Sequence, residues 1–185
     1  LTSIMMMPNP LPRMDFSKGI PPAWRTLVVV PTMLTSEGNI ENLIEALEVR
    51  FLANRDDSLH FALLTDFQDA QQESLLQDGS LLQLAQSRID ELNEKYAKTD
   101  GGPKAASFFL FHRPRRWNAQ EKVWMGYERK RGKLADLNAL LQGADPKKSF
   151  SLVVGDMAAL SGVKYVITLD TDTELPRDAA RQFVG

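Results

Sequence analysis

The stretch "TLVVVPT", residues 26–32, decides the fold class of this sequence. It is rich in β-branched residues and almost wholly apolar, and it lacks the polar and apolar alternation of a strand with one solvated face. Such a run is typical of a strand buried on both faces of a parallel sheet. We expect the strand to stop at Pro31, because proline has no N–H to donate.

Downstream of this strand, helical and strand patterns alternate. Apolar residues spaced by three and four positions between Ile40 and Phe51 predict a helix that Asn39 could cap. "LHFALLTDF", residues 59–67, predicts a second strand that ends near Asp66, and a further helical pattern runs from Ser80 to Tyr96. The sequence up to Tyr96 therefore contains two strand-helix units.

The second half of the chain continues the alternation. "SFFLFH" (107–112) predicts a strand, "KLADLNALLQG" (133–143) a short helix, and "FSLVV" (150–154) and "VKYVITL" (163–169) two more strands. This order predicts an α/β domain around a mostly parallel sheet flanked by helices. In such sheets ligands bind at the carboxyl ends of the strands, where Asp66 and Asp170 are expected.

Composition limits the class of protein. With 185 residues, of which 43% are hydrophobic, one domain is expected: residues 1–24, with five prolines, form an extended lead-in, and residues 25–185 form the domain. The net charge of -2 argues against a nucleic-acid binder. Without cysteine, any metal must be held by oxygen. The first residue is Leu rather than Met, and "RQFVG" ends the chain where a helix starts, so we expect a piece of a longer protein.

"YVITLDTDTELP", residues 165–176, places two aspartates at the end of a predicted strand. Residues i and i+2 of a strand share a face, so Asp170 and Asp172 could both reach one Mg²⁺ or Mn²⁺ ion. The same text fits a haloacid-dehalogenase-like phosphatase with Asp170 as its nucleophile. It also fits a plain turn before the "PRDAARQF" segment, with Pro176 at a first helical position.

Residues 112–133 form the most basic and aromatic segment of the chain. Rings beside cations suit sugar stacking, phosphate capture or single-stranded nucleic acid, so a non-enzymatic anion-binding module is a further alternative. We expect His112 to be structural and the segment to line a cleft. Its remaining notable side chains are Arg113, Arg115, Arg116, Trp117, Trp124 and Tyr127. A solvated basic face made by Arg129, Lys130, Arg131 and Lys133 is the structural alternative.

Four motifs in order resemble family 2-like glycosyltransferases of the cellulose synthase type: "LVVVPTML" (27–34), "LLTDF" (63–67), "RGKLADLN" (131–138) and "YVITLDTDTELP". Longer phrases, including "EVRFLANRDDSLHFALLTDF" (48–67) and "WMGYERKRGKLADLNALL" (124–141), resemble the transferase region of bacterial cyclic β-1,2-glucan synthases. The resemblance covers nearly the whole chain. It implies a GT-A-like fold, of which this chain is the N-terminal portion.

The resemblance also implies roles for individual residues. Thr32 and Asp66 match positions that contact the nucleoside, and Asp170 and Asp172 match the metal-binding pair. Lys133 matches a residue near the diphosphate, and it also follows Gly132 at a predicted helix start, where free N–H groups favour an anion. No residue of the chain is assigned as catalytic, because the general base is expected downstream of Gly185.

The implied reaction is inverting transfer of glucose from UDP-glucose to a growing cyclic β-1,2-glucan. This chain would supply the donor- and metal-binding half and would be inactive alone. The implied partners are UDP-glucose, the β-1,2-glucan acceptor and the remainder of a parent membrane protein, with no nucleic acid. The implied location is the inner membrane of a bacterium, with this region on the cytoplasmic face.

Overall fold

A five-stranded sheet organises the computed structural model, which describes residues 14–97 and 107–185. Its strands are β1 (Thr26–Leu34), β2 (Leu59–Phe67), β3 (Phe108–His112), β6 (Leu152–Val154) and β7 (Tyr165–Thr168); β4 (Arg116–Asn118) and β5 (Val123–Met125) form a separate hairpin. The helices are α1 (Glu37–Ala53), α2 (Asp78–Lys95), α3 (Arg129–Leu141) and α4 (Ala179–Val184).

The strand order in the sheet is β6-β3-β2-β1-β7. Strand β1 is parallel to both β2 and β7, β2 is parallel to β3, and β6 is antiparallel to β3. The predicted α/β fold with a mostly parallel sheet is confirmed, and it agrees with part of a GT-A-like domain. The chain builds outward from β1 through β2 and β3 to β6 on one side and then returns to the other side of β1. The carboxyl ends of the neighbouring strands β1 and β7 therefore form a topological switch point, where α/β sheets bind ligands.

Strand β1 is buried on both faces, as its composition predicts. Val28 and Val30 face a core cluster shared with α1, α2 and α4, whereas Leu27 and Val29 face a second cluster shared with α3. All four side chains have no exposed surface. Helices therefore cover both faces of the sheet.

Strand β1 continues through Pro31 to Leu34, so the predicted stop at Pro31 is wrong. The carbonyl of Val29 accepts a hydrogen bond from the N–H of Leu169, so Val29 is bonded on the β7 side. Because the hydrogen-bonding direction alternates along a parallel strand, Pro31 faces the same side, beyond the last residue of β7. The missing N–H therefore breaks no bond of the sheet.

The helix after β1 begins earlier than predicted. Ser36 is its N-cap, with its hydroxyl accepting from the N–H of Asn39 at 3.2 Å. The side-chain oxygen of Asn39 accepts in turn from the N–H of Thr35 at 3.2 Å. Asn39 was therefore wrongly predicted as the cap, and it instead completes a reciprocal arrangement similar to a capping box.

The predicted lead-in remains a prediction for the most part, because residues 1–13 lie outside the described residues. Its described end contains a 3₁₀ turn at Pro22–Trp24 and buries Phe16 and Ile20 in the core. Within residues 14–97 and 107–185, no helix combines the length and apolar character needed to cross a bilayer.

Candidate functional site

A cleft of about 310 Å³ opens at the carboxyl ends of β1 and β2. It lies at the predicted ligand-binding edge of the sheet, beside the switch point. The lining residues that matter below are Thr32, Asp66, Gly126, Lys130, Lys133 and Thr171. Three of the predicted donor-binding residues thus meet in one cleft.

Asp66 is the buried electrostatic centre of this cleft. Its carboxylate accepts from Nε of Arg113 at 2.8 Å and from Nη2 at 3.0 Å, and Nζ of Lys133 lies 3.0 Å away. Arg113 also pairs with Asp136 at 2.7 Å. Burial opposes the charge of Arg113, but its hydrogen bonds to Asp66 and Asp136 outweigh that effect and raise its pKa. Asp66 is therefore held in one orientation by bidentate pairing.

Helix α3 begins at Arg129, so the prediction that Lys133 stands at a helix start is wrong; Lys133 instead connects two of the predicted residues. Its Nζ donates to the carbonyl of Thr32 at 2.6 Å and lies against Asp66. Burial lowers the pKa of Lys133, while the charge of Asp66 opposes that shift. An ammonium group has three protons, so one donor remains for a ligand.

Gly126 lets the cleft wall approach Asp66 closely. A Cβ atom at this position would lie 2.2 Å from Oδ2 of Asp66. No such approach is sterically acceptable, so any side chain here would displace the carboxylate or the wall. The sequence motif "WMGYERK" therefore contains a glycine required by packing at the site.

The loop after β7 differs from the prediction. The strand ends at Thr168, and the carbonyl of Asp170 accepts from the N–H of Thr173 at 3.0 Å, which makes residues 170–173 a turn. The expectation that strand geometry puts Asp170 and Asp172 on one face is therefore wrong. Asp170, with 61% of its side chain exposed, forms an ion pair with Lys130. Asp172 is also exposed and lines a cavity of about 610 Å³ between this loop and α1.

Arg50 holds this loop in place and was missed by the sequence analysis. Although it lies on the buried face of α1 with 6% exposure, it donates to the carbonyl of Thr171 at 2.9 Å and to that of Thr173 at 2.8 and 3.3 Å. Burial lowers its pKa. The sequence does contain a sign of this role, because Arg50 lies three residues after Leu47, at a position of the helix where an apolar residue is expected.

The loop offers a limited set of metal ligands. Within the part of the chain that the structure describes, no group of three or more His, Cys, Asp or Glu residues could hold a metal ion. Asp170 and Asp172 supply two carboxylates, the number that Mg²⁺ commonly uses when substrate phosphates complete its coordination. The number of carboxylates thus fits an ion shared with a phosphate ligand and not a cage made by protein alone, although Asp170 pairs with Lys130 of the cleft whereas Asp172 lines the second cavity.

The first part of the basic segment is structural. His112 is fully buried, its Nδ1 lies 2.8 Å from Oγ1 of Thr65, and burial lowers its pKa to about 4. This confirms the structural role predicted for His112. Arg115 is also buried; it pairs with Asp78 and lies over the ring of Phe67.

The aromatic part of the segment stands beside the cleft. Trp117 and Trp124 pair across the β4–β5 hairpin with ring centroids 5.8 Å apart, and Trp117 and Tyr127 are about half exposed. The cleft itself is lined by Gly126, Arg129, Lys130 and Lys133 from this region. The prediction that the segment lines a cleft therefore applies to its end, and the tryptophans do not line it.

The chain is similar along almost its whole length to a protein whose name describes a glucan synthase. It is 42% identical over 183 residues to the cyclic beta-(1,2)-glucan synthase NdvB of Rhizobium meliloti, a match that covers 99% of this chain. The chain spans 6% of the length of that relative. No protein family model matches the chain.

Proposed function

Because the chain corresponds along nearly its whole length to a segment of a cyclic β-1,2-glucan synthase, we propose that it forms the donor- and metal-binding part of a glycosyltransferase. The proposed donor is UDP-glucose, and the proposed product is a growing cyclic β-1,2-glucan. The linkage and the sugar rest on the relationship to that synthase. The binding geometry rests on the cleft.

One observation carries the proposal: Thr32, Asp66 and Lys133 converge at the carboxyl ends of the strands, and the loop with Asp170 adjoins them. These residues come from β1, β2, α3 and the segment after β7. Sequence-distant residues that converge at a switch point are expected for a ligand site.

Each residue has a proposed role. Thr32 and Asp66 face the nucleoside, and the remaining N–H of Lys133 points its charge toward the diphosphate. Asp170 and Asp172 would hold Mg²⁺ or Mn²⁺, which when bound neutralises charge on the diphosphate leaving group. Asp66 is engaged by Arg113 and Lys133, so its main effect is to fix the position of Lys133.

The proposal assigns no catalytic base to this chain. Inverting transfer needs a general base beside the acceptor hydroxyl, and we place that group elsewhere in the parent enzyme. The β-1,2-glucan acceptor and the remaining parent protein are the proposed partners. The proposed location is the cytoplasmic face of a bacterial inner membrane.

The test is a titration of the 185-residue chain with UDP-glucose, with and without Mn²⁺, monitored by calorimetry. We expect binding to strengthen with Mn²⁺ in the wild type, and this strengthening to disappear in Asp170→Asn and Asp172→Asn. Asp90→Asn is the matched control, because it makes the same chemical change at an exposed position on α2. It should retain the wild-type response.

Equal affinity in all four chains, whatever the metal, would refute the site assignment. The phosphatase alternative makes a different prediction. If Asp170 were a phosphorylated nucleophile, a beryllofluoride mimic of aspartyl phosphate would bind the wild type and not Asp170→Asn, and UDP-glucose would not bind. Salt-sensitive nucleic-acid binding that survives Asp170→Asn would instead favour an anion-binding module.

A further inference from the structure

The cations that line the cleft or contact its residues fall into two groups according to the acidic residue that each one pairs with. Arg113 and Lys133 are buried and committed to Asp66, and Arg129 pairs with Asp69 at 2.7 Å. Lys130 also lines the cleft, but its ion pair is with Asp170. The partner of Lys130 is thus the carboxylate proposed to bind the metal.

We propose that Lys130 is a further ligand-binding residue that exchanges partners when the donor binds. Without a divalent ion it neutralises Asp170, and once the ion takes that carboxylate, the ammonium of Lys130 turns to the diphosphate of the nucleotide sugar. This inference rests on the proposed function and adds to it a residue and an order of events.

The ion pair is suited to such an exchange. Lys130 and Asp170 are 48% and 61% exposed, and exposed pairs are held weakly. Lysine carries its charge on a flexible stem and can move from one anion to another without a fixed bidentate geometry. The pair of Arg113 with Asp66, at 5% exposure on both sides, has none of these properties.

The position of Lys130 favours an anion in the cleft. It lies in the first turn of α3, where unpaired N–H groups add positive charge, and its neighbour along the helix is the buried Lys133. The ammonium group of Lys133 already contacts the carbonyl of Thr32 and the carboxylate of Asp66. A diphosphate with two or more negative charges therefore has in Lys130 the more available counterion.

If Lys130 exchanges Asp170 for the diphosphate, removing its charge should change the affinities for Mn²⁺ and for UDP in opposite directions. In Lys130→Met, the affinity for Mn²⁺ alone should rise roughly two- to five-fold, because the competitor for Asp170 is gone. The affinity for UDP at saturating Mn²⁺ should fall about tenfold, because a charge-assisted hydrogen bond to phosphate is lost. Free Mn²⁺ is measured by electron paramagnetic resonance and UDP binding by calorimetry.

Two further variants serve as controls. Arg131→Met removes the same charge one residue along; its side chain is 82% exposed and pairs with Glu128, so both affinities should stay within about twofold of wild type. Lys130→Arg keeps the charge and should restore most of the UDP affinity. Urea unfolding of each variant checks that the fold is retained.

The outcomes separate this inference from the proposed function. A wild-type chain that binds neither Mn²⁺ nor UDP would overturn both. If the wild type binds both ligands, the exchange is overturned when Lys130→Met weakens both, when it changes neither, or when UDP weakens without tighter Mn²⁺ binding. Only the combination of tighter Mn²⁺ and weaker UDP binding supports it.

Discussion

Asp66 lies at the end of β2 and Asp170 follows the end of β7, yet their surroundings in the structure differ. Asp66 is buried and shared between Arg113 and Lys133, both with side chains 5% exposed. Asp170 is largely exposed and its partner, Lys130, is exposed too. One carboxylate is therefore fixed in its surroundings, and the other is available to a new partner.

The same cleft therefore contains one buried ion pair and one exposed ion pair. A buried, doubly paired carboxylate is costly to disturb, because each buried charge depends on its partner. An exposed pair costs little to break. Asp66 with Arg113 and Lys133 thus fixes the shape of the cleft, whereas the ion pair of Asp170 with Lys130 costs little to open.

The largest expected effect tests the fixed side. Asp66→Asn should lower the free energy of unfolding by about 3 kcal/mol or more, because it leaves Arg113 and Lys133 buried without their shared counter-charge. Asp170→Asn should change stability by less than about 0.5 kcal/mol. Urea denaturation measures both. Equal losses in the two variants would remove the contrast between the aspartates.

A smaller effect is expected at the wall of the cleft. Gly126→Ala would bring a Cβ to 2.2 Å from Oδ2 of Asp66 and should cost about 2 kcal/mol through overpacking. Gly79→Ala is the control, because no atom lies within 4 Å of its Cβ position in α2 and alanine favours helix there. The control should be neutral or stabilising, and an equally tolerated Gly126→Ala would show that Asp66 is not held tightly.

The sequence predicted the parts of this molecule that follow from local pattern. The buried strand at 26–32, the alternation of strands and helices, and the position of Asp66 at a strand end all came from periodicity and composition. Their physical basis is local, because apolar spacing and strand length are visible in a short window.

The features that were missed depend on contacts between distant segments. Arg50 lies 121 residues before the carbonyl of Thr171 that it binds, and Arg113 lies 47 residues after Asp66. Strand β1 can continue through Pro31 because β7 ends before it reaches that position, which no local pattern reveals. The turn at 170–173 likewise depends on hydrogen bonds from Arg50, which lies on α1.

Arg50 combines both kinds of environment, because its own side chain is buried while the carbonyls that it binds belong to the exposed loop after β7. Arg50→Met should lower the free energy of unfolding by about 1.5 kcal/mol, because the carbonyls of Thr171 and Thr173 lose their donors. It should also weaken Mn²⁺-dependent UDP binding several-fold by loosening the loop. Arg55→Met, which removes a guanidinium that lies over the Phe51 ring just beyond the end of α1, is the control. If Arg55→Met weakened UDP binding equally, the proposal that the hydrogen bonds of Arg50 hold the loop in place for binding would be contradicted.

The smallest expected effect concerns pH on the buried side. His112 has its pKa lowered by burial to about 4 in the folded chain, against an ordinary value of 6.5. Between these values the unfolded chain binds the extra proton, so stability is fully present above pH 6.5 and is lost as the pH falls toward 4. Going from pH 7.5 to 5.5, His112 should account for a loss of about 1 kcal/mol.

The measurement compares wild type with His112→Asn, which lacks the titrating ring while retaining a polar group near Thr65. The variant is less stable at pH 7.5, because the replacement opens space in the core, but the gap between the two chains should narrow by about 1 kcal/mol at pH 5.5. Glu and Asp side chains titrate in both chains and cancel in the difference. If the difference in free energy of unfolding between the two chains stayed constant with pH, His112 would be protonated in the folded chain as readily as in the unfolded one. The surroundings of His112 and Asp66 would then be more hydrated than their burial indicates.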